Sequence, residues 1–401
     1  MSSRRTRWRN RSATIESRRG EFAIDTEADQ PAGGGRRTDR RLESIDGLRA
    51  CAALWVVAFH MRAFSHVRLD AIPGLDFFVR SGSSGVSLFL VLSGFCLYLP
   101  WAERRREGME FRGFMARRAR RLLPAYYATL ALLIVSTVVA QGNAGFTWYR
   151  GPDLAAQTLV HVTLVHQLFP QSFYALNGSF WTLGLEWELY LAFPLLLWGI
   201  TRFGIARTVV AVVAINAGYC LGLDIAIHLG ALRAHSLWAT AVLPNLITGR
   251  WAEFAFGMVG AELYVSAWVA RSKRLLTLAA VVSVPLAVVA AGGAFGHMLI
   301  GATFLILLCF ALEQEGAIAR MLAWRPLVFI GLMSYSLYLV HQPIVEAIAS
   351  ELRQGGHSPG AVFAGLLLAL PAIVLVAWCL FRTVELRTMR RPGAVARSAP
   401  P

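Results

Sequence analysis

The sequence has few charged residues, and acidic ones are the scarcest. Only 16% of its 401 residues are charged, and 24 acidic side chains stand against 39 basic ones, which gives a net charge of +15. A soluble protein with so little charge and 56% hydrophobic residues would be unusual. The excess of arginine would also suit nucleic-acid binding, but stretches of about 20 apolar residues commit most of the chain to lipid. We therefore expect a lipid bilayer as partner and no nucleic acid.

The sequence also lacks a cysteine framework and the common catalytic strings. Its five cysteines stand singly in apolar stretches, and no pair has the spacing of a metal site or a disulfide scaffold. There is no Gly-x-Ser-x-Gly, no His-Glu-x-x-His and no phosphate-binding Gly-Lys loop. We therefore expect neither a disulfide-stapled protein nor a metal cofactor.

Apolar segments divide the chain into three parts. Residues 1–44 hold eleven arginines and little apolar content, so we expect a disordered cytoplasmic tail. Residues 45–381 form the predicted membrane domain, and residues 382–401 form a second cytoplasmic tail. The predicted spans are about 45–65, 83–101, 122–140, 180–201, 206–222, 249–268, 275–291, 297–312, 326–348 and 360–381.

A short apolar stretch at 153–169 decides the topology. It is broken by polar residues, and we expect it to lie at the outer surface with His161 and His166 interfacial. The arginines that follow the fourth span, Arg202 and Arg207, then fall inside with both termini, as the positive-inside rule requires. The sequence thus predicts an all-α, polytopic membrane helix bundle of about ten transmembrane helices in the inner membrane, with both termini cytoplasmic.

Three ionisable side chains lie at the front of the first span, at Asp46, Arg49 and His60. An α-helix repeats every 3.6 residues, so Arg49 and His60 project about 20° apart and roughly 16 Å apart along the axis. Asp46 lies one turn before Arg49 on nearly the same face. A polar stripe on a lipid-buried helix should face the protein interior or a water-filled cavity. The alternative is a helix-end ion pair plus a structural histidine, but the three together favour a functional site.

His60, His341 and Glu186 are predicted to lie at one depth. His60 and His341 each come 15 residues after the cytoplasmic start of their spans, and Glu186 comes 16 residues before Arg202. At 1.5 Å per residue, all three lie roughly 22–24 Å from the cytoplasmic surface, in the outer half of a core about 30 Å thick. Such a set could form a buried acid–base centre. Agreement in depth by chance is the alternative.

Arginines crowd the inner mouth of the third span. Four guanidinium groups stand within five residues, at Arg117, Arg118, Arg120 and Arg121. Arginine pairs bidentately with phosphate and keeps its charge near lipid. For this cluster alone, an orientation signal with headgroup contacts is the simpler interpretation. Together with Arg49, which opens the first span at the same face, the cluster could bind a polyanionic substrate whose other end enters the bundle.

Five strings stand in a fixed order along roughly residues 41–385. They are Asp46-Gly-Leu-Arg49 with His60 eleven positions later, Gly85-Val-Ser-Leu-Phe-Leu-Val-Leu-Ser93-Gly94-Phe95, Arg118-x-x-Arg121 before Pro124, Ser179-Phe-Trp181-Thr-Leu-Gly-Leu-Glu186-Trp-Glu-Leu-Tyr190, and Tyr335-Ser-Leu-Tyr338-Leu-Val-His341-Gln-Pro343. Each string alone is weak. In this order they resemble the motifs of the type 3 acyltransferases, which are polytopic membrane O-acyltransferases.

The resemblance implies acyl transfer from a cytoplasmic acyl-CoA, most often acetyl-CoA, to a hydroxyl of a glycan or a lipid-linked saccharide. It gives His60 the role of catalytic histidine, and Arg49, Arg118 and Arg121 the role of acyl-CoA contacts. We expect His60 to accept the proton of the acceptor hydroxyl as its oxygen attacks the thioester.

Three further residues complete the predicted site. Glu186 could orient or charge-balance an imidazole, and His341 would be a second acid or a structural partner. Ser93 is assigned to the donor side with the arginines, and the sequence reveals no base beside it that would favour an acyl-enzyme.

Some residues depart from the family pattern and leave the acceptor open. Ser87 stands where members often have Asp, and Cys51 and Gln342 replace commoner residues. Lipopolysaccharide, exopolysaccharide, peptidoglycan and a small secondary metabolite all remain as acceptors.

Two other classes of function remain as alternatives. Intramembrane His and Glu can form the proton relay of a proton-coupled transporter or exporter, although no inverted internal repeat of the usual kind is visible. A protein that binds no acyl-CoA would instead be a membrane scaffold.

Overall fold

Helices account for every element in the residues that the computed structural model describes, which are 35–104, 109–141, 153–290, 293, 295–313 and 316–389. The outer parts of the two predicted tails, 1–34 and 390–401, lie outside the described residues. Long apolar segments become helices in lipid because the backbone can satisfy its hydrogen bonds there only within the segment itself.

In the residues that the structure describes, the first half of the chain contributes seven α-helices. They are α1 Gly35–Ser65, α2 Leu75–Arg80, α3 Gly85–Glu103, α4 Phe111–Gln141, α5 Leu154–Val162, α6 Trp181–Phe203 and α7 Ile205–His228. Helix α1 begins ten residues before the predicted start of the first span. Helix α5 has nine residues and is about 13 Å long, too short to cross a bilayer core.

The described part of the second half contributes nine α-helices. They are α8 Ile247–Val265, α9 Trp268–Arg271, α10 Lys273–Ala290, α11 Gly296–Leu312, α12 Ala317–Leu322, α13 Arg325–Leu332, α14 Ser334–Gln354, α15 Pro359–Leu380 and α16 Leu386–Met389. One continuous apolar core joins residues of α1, α3, α4, α6, α8, α11, α14 and α15.

Six helical stretches in the described residues are long and apolar enough to cross a membrane. They are Glu43–Ser65, Leu75–Glu103, Phe111–Val139, Trp181–Phe203, Ile205–His228 and Pro359–Met389. The remaining predicted spans also lie on helices, but α10 and α11 are short and α8 carries three charged residues. The chain is therefore an all-helical, multi-pass membrane protein with about six candidate spans.

One further candidate span is bent. Helices α13 and α14 meet at 76° on either side of Met333. Just before the bend, Gly331 packs so tightly against the carbonyl oxygen of Asp46 that a Cβ atom would collide with it. Glycine and serine near one another are a common cause of such kinks. The bend places Ser334 and Tyr335, the first residues of α14, in the buried interior.

Helix α3 packs closely against α8. A Cβ atom at Gly94 would collide with the carbonyl oxygen of Phe254, so only glycine fits at this crossing. Small residues allow such close approach between membrane helices.

Candidate active site

A pocket enclosing about 880 Å³, partly open to the outside, lies between α1, α3, α4, α6 and α14. Five residues that the sequence singled out line it, namely Arg49, Ser93, Arg118, Arg121 and Glu186. Six further polar residues line the pocket that were not predicted to lie there, namely Cys96, Thr182, Tyr190, Ser334, Tyr335 and Tyr338. The wall thus combines cations, hydroxyl groups and a carboxylate with apolar side chains.

The three arginines of the pocket have no protein partner at close range. Arg118 and Arg121 lie one turn apart on α4, and Arg49 lies on α1. In the described part of the chain, none of the three guanidinium groups makes a hydrogen bond or an ion pair, and Arg118 Nε is buried without a partner. Asp46 and Glu385 act on Arg49 and Arg121 electrostatically, beyond ion-pair distance. Unpaired cations in a partly buried pocket favour an anionic ligand.

Glu186 accepts hydrogen bonds from two hydroxyl groups. Tyr190, one turn later on α6, donates a hydrogen bond to Glu186 Oε1, and Ser93 Oγ on α3 lies 3.4 Å from the same oxygen. The contact with Ser93 is long and therefore weak. The structure brings Glu186 to Ser93 and Tyr190, and in the described residues neither oxygen of Glu186 bonds to a histidine. A carboxylate therefore stands beside Ser93, where the sequence revealed no base.

His60 and His341 contact each other. His341 Nε2 lies 3.1 Å from His60 Nδ1, and the ring centroids are 5.0 Å apart. His341 is fully buried, and its Nδ1 lies 2.8 Å from the carbonyl oxygen of Tyr338 and 3.1 Å from that of Leu337. A carbonyl oxygen can only accept, so Nδ1 of His341 carries the proton. The neutral ring then offers Nε2 as an acceptor.

This arrangement also fixes the proton of a neutral His60. Its Nδ1 faces two acceptors, His341 Nε2 and the carbonyl oxygen of Val56 at 3.0 Å. Nδ1 of His60 therefore carries the proton, and Nε2 keeps its lone pair. His60 is half-buried, between the rings of Phe59 and Phe64. The histidine pair thus presents His60 Nε2 as a positioned proton acceptor.

Tyr338 connects the pocket to the histidine pair. It lines the pocket, and its ring centroid lies 5.6 Å from that of His341. Its hydroxyl donates to the carbonyl oxygen of Ser179 at 3.1 Å and accepts from the Thr182 hydroxyl at 2.9 Å. Neither histidine lines the pocket itself. The pocket and the histidine pair are therefore neighbouring centres, and the side chain of Tyr338 lies between them.

A buried cation outside the pocket escaped the sequence analysis. Arg250 on α8 is only 2% exposed, and its Nε lies 2.7 Å from Glu253 Oε2. Its Nη1 donates to His297 Nδ1 at 2.8 Å, and its Nη2 donates to Ser87 Oγ at 3.2 Å. Arg and Glu three residues apart on an apolar helix share one face, and this spacing was the available signal. Ser87, which departs from the family pattern, belongs to this cluster.

His161 and His166 are both buried against other parts of the protein, and their position at the membrane interface stays a prediction. Both are fully buried and their rings stack with centroids 4.2 Å apart. The nitrogens of His161 face the carbonyl oxygens of Gln157 and Ala175, whereas both nitrogens of His166 lack a partner. Burial lowers the pKa of His161, and burial together with the neighbouring His161 lowers the pKa of His166 to about 3. The chain folds back after α5 and covers both rings, which periodicity alone does not reveal.

Fold and site together define a multi-pass helical membrane protein with an arginine-lined pocket beside a histidine pair. The sequence profile described as an acyltransferase domain matches residues 42–382. The chain therefore belongs to this acyltransferase family, and the resemblance carried by its five motifs is confirmed. Among the described residues, no group of three or more His, Cys, Asp or Glu side chains could hold a metal ion.

Several curated proteins are similar to this chain. O-acetyltransferase OatA of Staphylococcus aureus is 25% identical over 332 residues, which cover 79% of this chain and 52% of the relative. Peptidoglycan O-acetyltransferase OatA of Listeria monocytogenes is 24% identical over 342 residues, or 77% of this chain and 50% of the relative. Regulator of hypoxia-inducible factor 1 of Caenorhabditis elegans is 29% identical over 209 residues, which cover 45% of this chain and 40% of the relative. The chain thus spans about half the length of its OatA relatives, and no solved structure matches it.

Proposed function

We propose that this chain is a membrane O-acyltransferase that moves an acyl group, most often acetyl, from cytoplasmic acyl-CoA to a hydroxyl of a cell-surface glycan. The observation that carries the proposal is an arginine-lined pocket next to a histidine whose Nε2 is free to accept a proton. Family membership supports acyl transfer. The names of the two OatA relatives support O-acetylation, and one of them supports a glycan acceptor.

The proposed topology has ten spans in the inner membrane, with both termini cytoplasmic. It treats 1–44 and 382–401 as cytoplasmic tails and 45–381 as the membrane domain. The positive-inside rule supports it because the basic loops then face the cytoplasm together. Arg49, Arg118 and Arg121 then lie at the inner face, where acyl-CoA is available. A reporter fused after residue 203 should report a cytoplasmic position, and an outer position would contradict the topology.

On the donor side, the arginines hold the phosphates of acyl-CoA. Guanidinium groups bind phosphate oxygens through bidentate, charge-assisted hydrogen bonds. Arg118 and Arg121 bind the phosphates at the mouth of the pocket, and Arg49 lies deeper, on α1. Ser93 and Glu186 line the same pocket, next to the path of the thioester. The acyl end then passes Tyr338 to reach His60.

Transfer proceeds by direct attack of the acceptor. His60 Nε2 takes the proton of the acceptor hydroxyl as its oxygen forms a bond to the thioester carbonyl carbon. The tetrahedral intermediate collapses, the carbon–sulfur bond breaks, and the proton passes from His60 to the departing CoA sulfur. The products are an O-acyl ester and CoA with a free thiol. His341 holds His60 in the required tautomer, and Glu186 positions Ser93 and Tyr190 on the donor side.

The test replaces His60 by Ala in the full-length chain. Transfer of labelled acetyl from acetyl-CoA to glycan in membrane vesicles should fall by about 10²–10⁴-fold, the usual contribution of a general base, while the protein still inserts. His357→Ala is the matched control, because His357 is exposed and lies outside the site. Full activity of the His60→Ala variant would refute the role of His60.

The acceptor class is tested in whole cells. Mass spectrometry of glycans and lipids from cells with and without the chain should show a difference of one acyl group per modified saccharide. If glycans are unchanged and a small secreted metabolite gains the acyl group, the acceptor is a secondary metabolite. If the wild-type protein consumes no acyl-CoA but moves protons, it is a transporter.

A further inference from the structure

Two polar atoms in the wall of the pocket are buried and have no hydrogen-bond partner among the residues that the structure describes. One is Arg118 Nε and the other is Ser334 Oγ. The two residues after Ser334 differ from it, because Tyr335 donates to the carbonyl oxygen of Leu122 at 2.8 Å and Ser336 donates to Glu385 at 2.6 Å. Buried hydroxyls almost always have partners. The missing partner of Ser334 therefore points to a ligand in the pocket.

Ser334 is also the first residue of a long helix. Helix α14 has 21 residues, and no side chain caps its N-terminus. The first N–H groups of a helix have no partner within the helix, and the helix dipole makes this end attractive to anions. The bend at Met333 frees this end by turning α13 away at 76°. A broken membrane helix whose N-terminus faces a polar pocket is a known way of holding an anionic group.

We propose that the N-terminus of α14, with the hydroxyl of Ser334, binds the diphosphate of the acyl donor together with Arg118 and Arg121. This inference rests on the proposed function and deepens it by naming the part of the donor held there. A diphosphate presents several adjacent anionic oxygens, which suits a helix N-terminus and two guanidinium groups lining one pocket.

The position of the helix then sets the direction of the donor. Tyr338 lies one turn beyond Ser334 on α14, and His341 lies seven residues beyond it, which is about 10 Å along the axis. Ser334 and Tyr338 both line the pocket. A donor whose diphosphate lies at Ser334 therefore runs along α14, with its thioester end toward Tyr338 and the histidine pair.

The test measures ligand affinity of the purified full-length protein in nanodiscs of neutral lipid. The ligands are CoA, dephospho-CoA, which keeps the diphosphate, and pantetheine, which lacks every phosphate. Ser334→Ala should weaken CoA and dephospho-CoA by about tenfold, equivalent to about 1.4 kcal/mol, and should leave pantetheine unchanged. Ser334→Asp places a carboxylate at the helix N-terminus and should weaken both phosphorylated ligands further, because it repels their phosphates.

Ser283→Ala is the matched control. The Ser283 hydroxyl is also buried without a partner, but it lies on α10 and outside the pocket. This variant should bind all three ligands like the wild type.

Four results would overturn the assignment. They are unchanged CoA affinity in Ser334→Ala, equal weakening of pantetheine, weakening of CoA but not dephospho-CoA, and an effect seen only in nanodiscs with phosphatidylglycerol. The last result would mean that the helix end binds a lipid headgroup.

Measuring acetyl transfer separates this proposal from the proposed function. If the wild type transfers acetyl and the Ser334→Ala variant is unaffected, only the diphosphate site is refuted. A wild type that neither binds CoA nor transfers acetyl removes the proposed function.

Discussion

One buried arginine, Arg250, and a group of three, Arg49, Arg118 and Arg121, have opposite surroundings in this helical bundle. Arg250 is almost fully buried and is bonded by Glu253, His297, Ser87 and Asn245. Arg49, Arg118 and Arg121 are half-buried and have no hydrogen-bond or ion-pair partner in the described residues. They line a pocket, whereas Arg250 does not.

The difference separates a structural cation from a ligand-binding one. A buried guanidinium with protein partners on every nitrogen has no group left for a substrate, so Arg250 ties α3, α8 and α11 together. A guanidinium without partners in a pocket keeps its donors for an incoming anion. Loss of the first kind should therefore reduce stability, and loss of the second should reduce donor binding at constant stability.

The largest effect is expected at Arg250. Arg250→Ala leaves Glu253 buried without its counter-ion, which typically costs about 3–5 kcal/mol. We expect a strong drop in the thermal stability of the detergent-solubilised protein and in the amount inserted. Normal stability of this variant would remove the distinction between the two sets.

A charge relocation sharpens this test. Glu253→Gln should also destabilise, and adding Ser87→Asp should restore part of the loss, because Arg250 Nη2 already contacts Ser87 at 3.2 Å. Thermal stability of the single and double variants measures the rescue. A double variant that is no better than Glu253→Gln would show that the position of the carboxylate matters more than its charge.

The next effect is expected at Arg118. Arg118→Ala should raise the KM for acetyl-CoA about 10- to 100-fold, since hydrogen bonds to charged groups contribute about 1.5–3 kcal/mol. Thermal stability should stay unchanged. Arg120→Ala is the matched control, because Arg120 is exposed on the same helix and does not line the pocket. Equal losses in both variants would mean that the helix attracts the donor only through its overall charge.

His166 tests whether a missing partner alone marks a ligand site. Its nitrogens have no partner, but it lies outside the pocket. Because its folded-state pKa of about 3 lies below the ordinary value of 6.5, its contribution to stability is complete above pH 6.5 and is lost as the pH falls toward 3. At pH 5 the loss is about 2 kcal/mol.

The measurement compares thermal stability at pH 7.5 and pH 5. His166→Phe should lose less stability on acidification than the wild type, and His357→Phe, at an exposed position, should behave like the wild type. Identical acid sensitivity of all three proteins would contradict the prediction. A change in the KM for acetyl-CoA of the His166→Phe variant at pH 7.5 would instead tie this site to the donor.

The smallest effect is expected at Ser93. Its long contact with Glu186 indicates a minor positioning role, so Ser93→Ala should lower kcat/KM about fivefold, as for one weak hydrogen bond of about 1 kcal/mol. Direct transfer also predicts no exchange of labelled CoA into acetyl-CoA without acceptor. Exchange that Ser93→Ala abolishes would instead establish an acyl-enzyme on Ser93, with Glu186 as its base.

The sequence predicted the all-helical class and the grouping of the arginines well. Apolar length predicts helices directly, and basic residues flanking spans indicate a common face. The spacing of Arg49, Arg118 and Arg121 at span ends was therefore enough to bring them to one pocket. His60 and His341 come equally far after the predicted starts of their spans, which predicts one depth, and in the structure the two side chains contact each other.

Other features depend on packing between helices and are not visible in periodicity. Glu186 shares the predicted depth but turns to Ser93 and Tyr190. The bend at Met333 depends on how closely Gly331 approaches the first helix. Tyr338 lies one turn before His341 on α14, so helix spacing alone predicts that contact, but its place in the pocket wall depends on the packing of the helices around it.

The side chain of Tyr338 also has a consequence for the path of the acyl group. The pocket reaches its side chain, and the histidines lie beyond it. In this conformation the aromatic ring stands between the arginine-lined pocket and the histidines, so the proposed transfer requires this side chain to turn aside before an acyl group reaches His60.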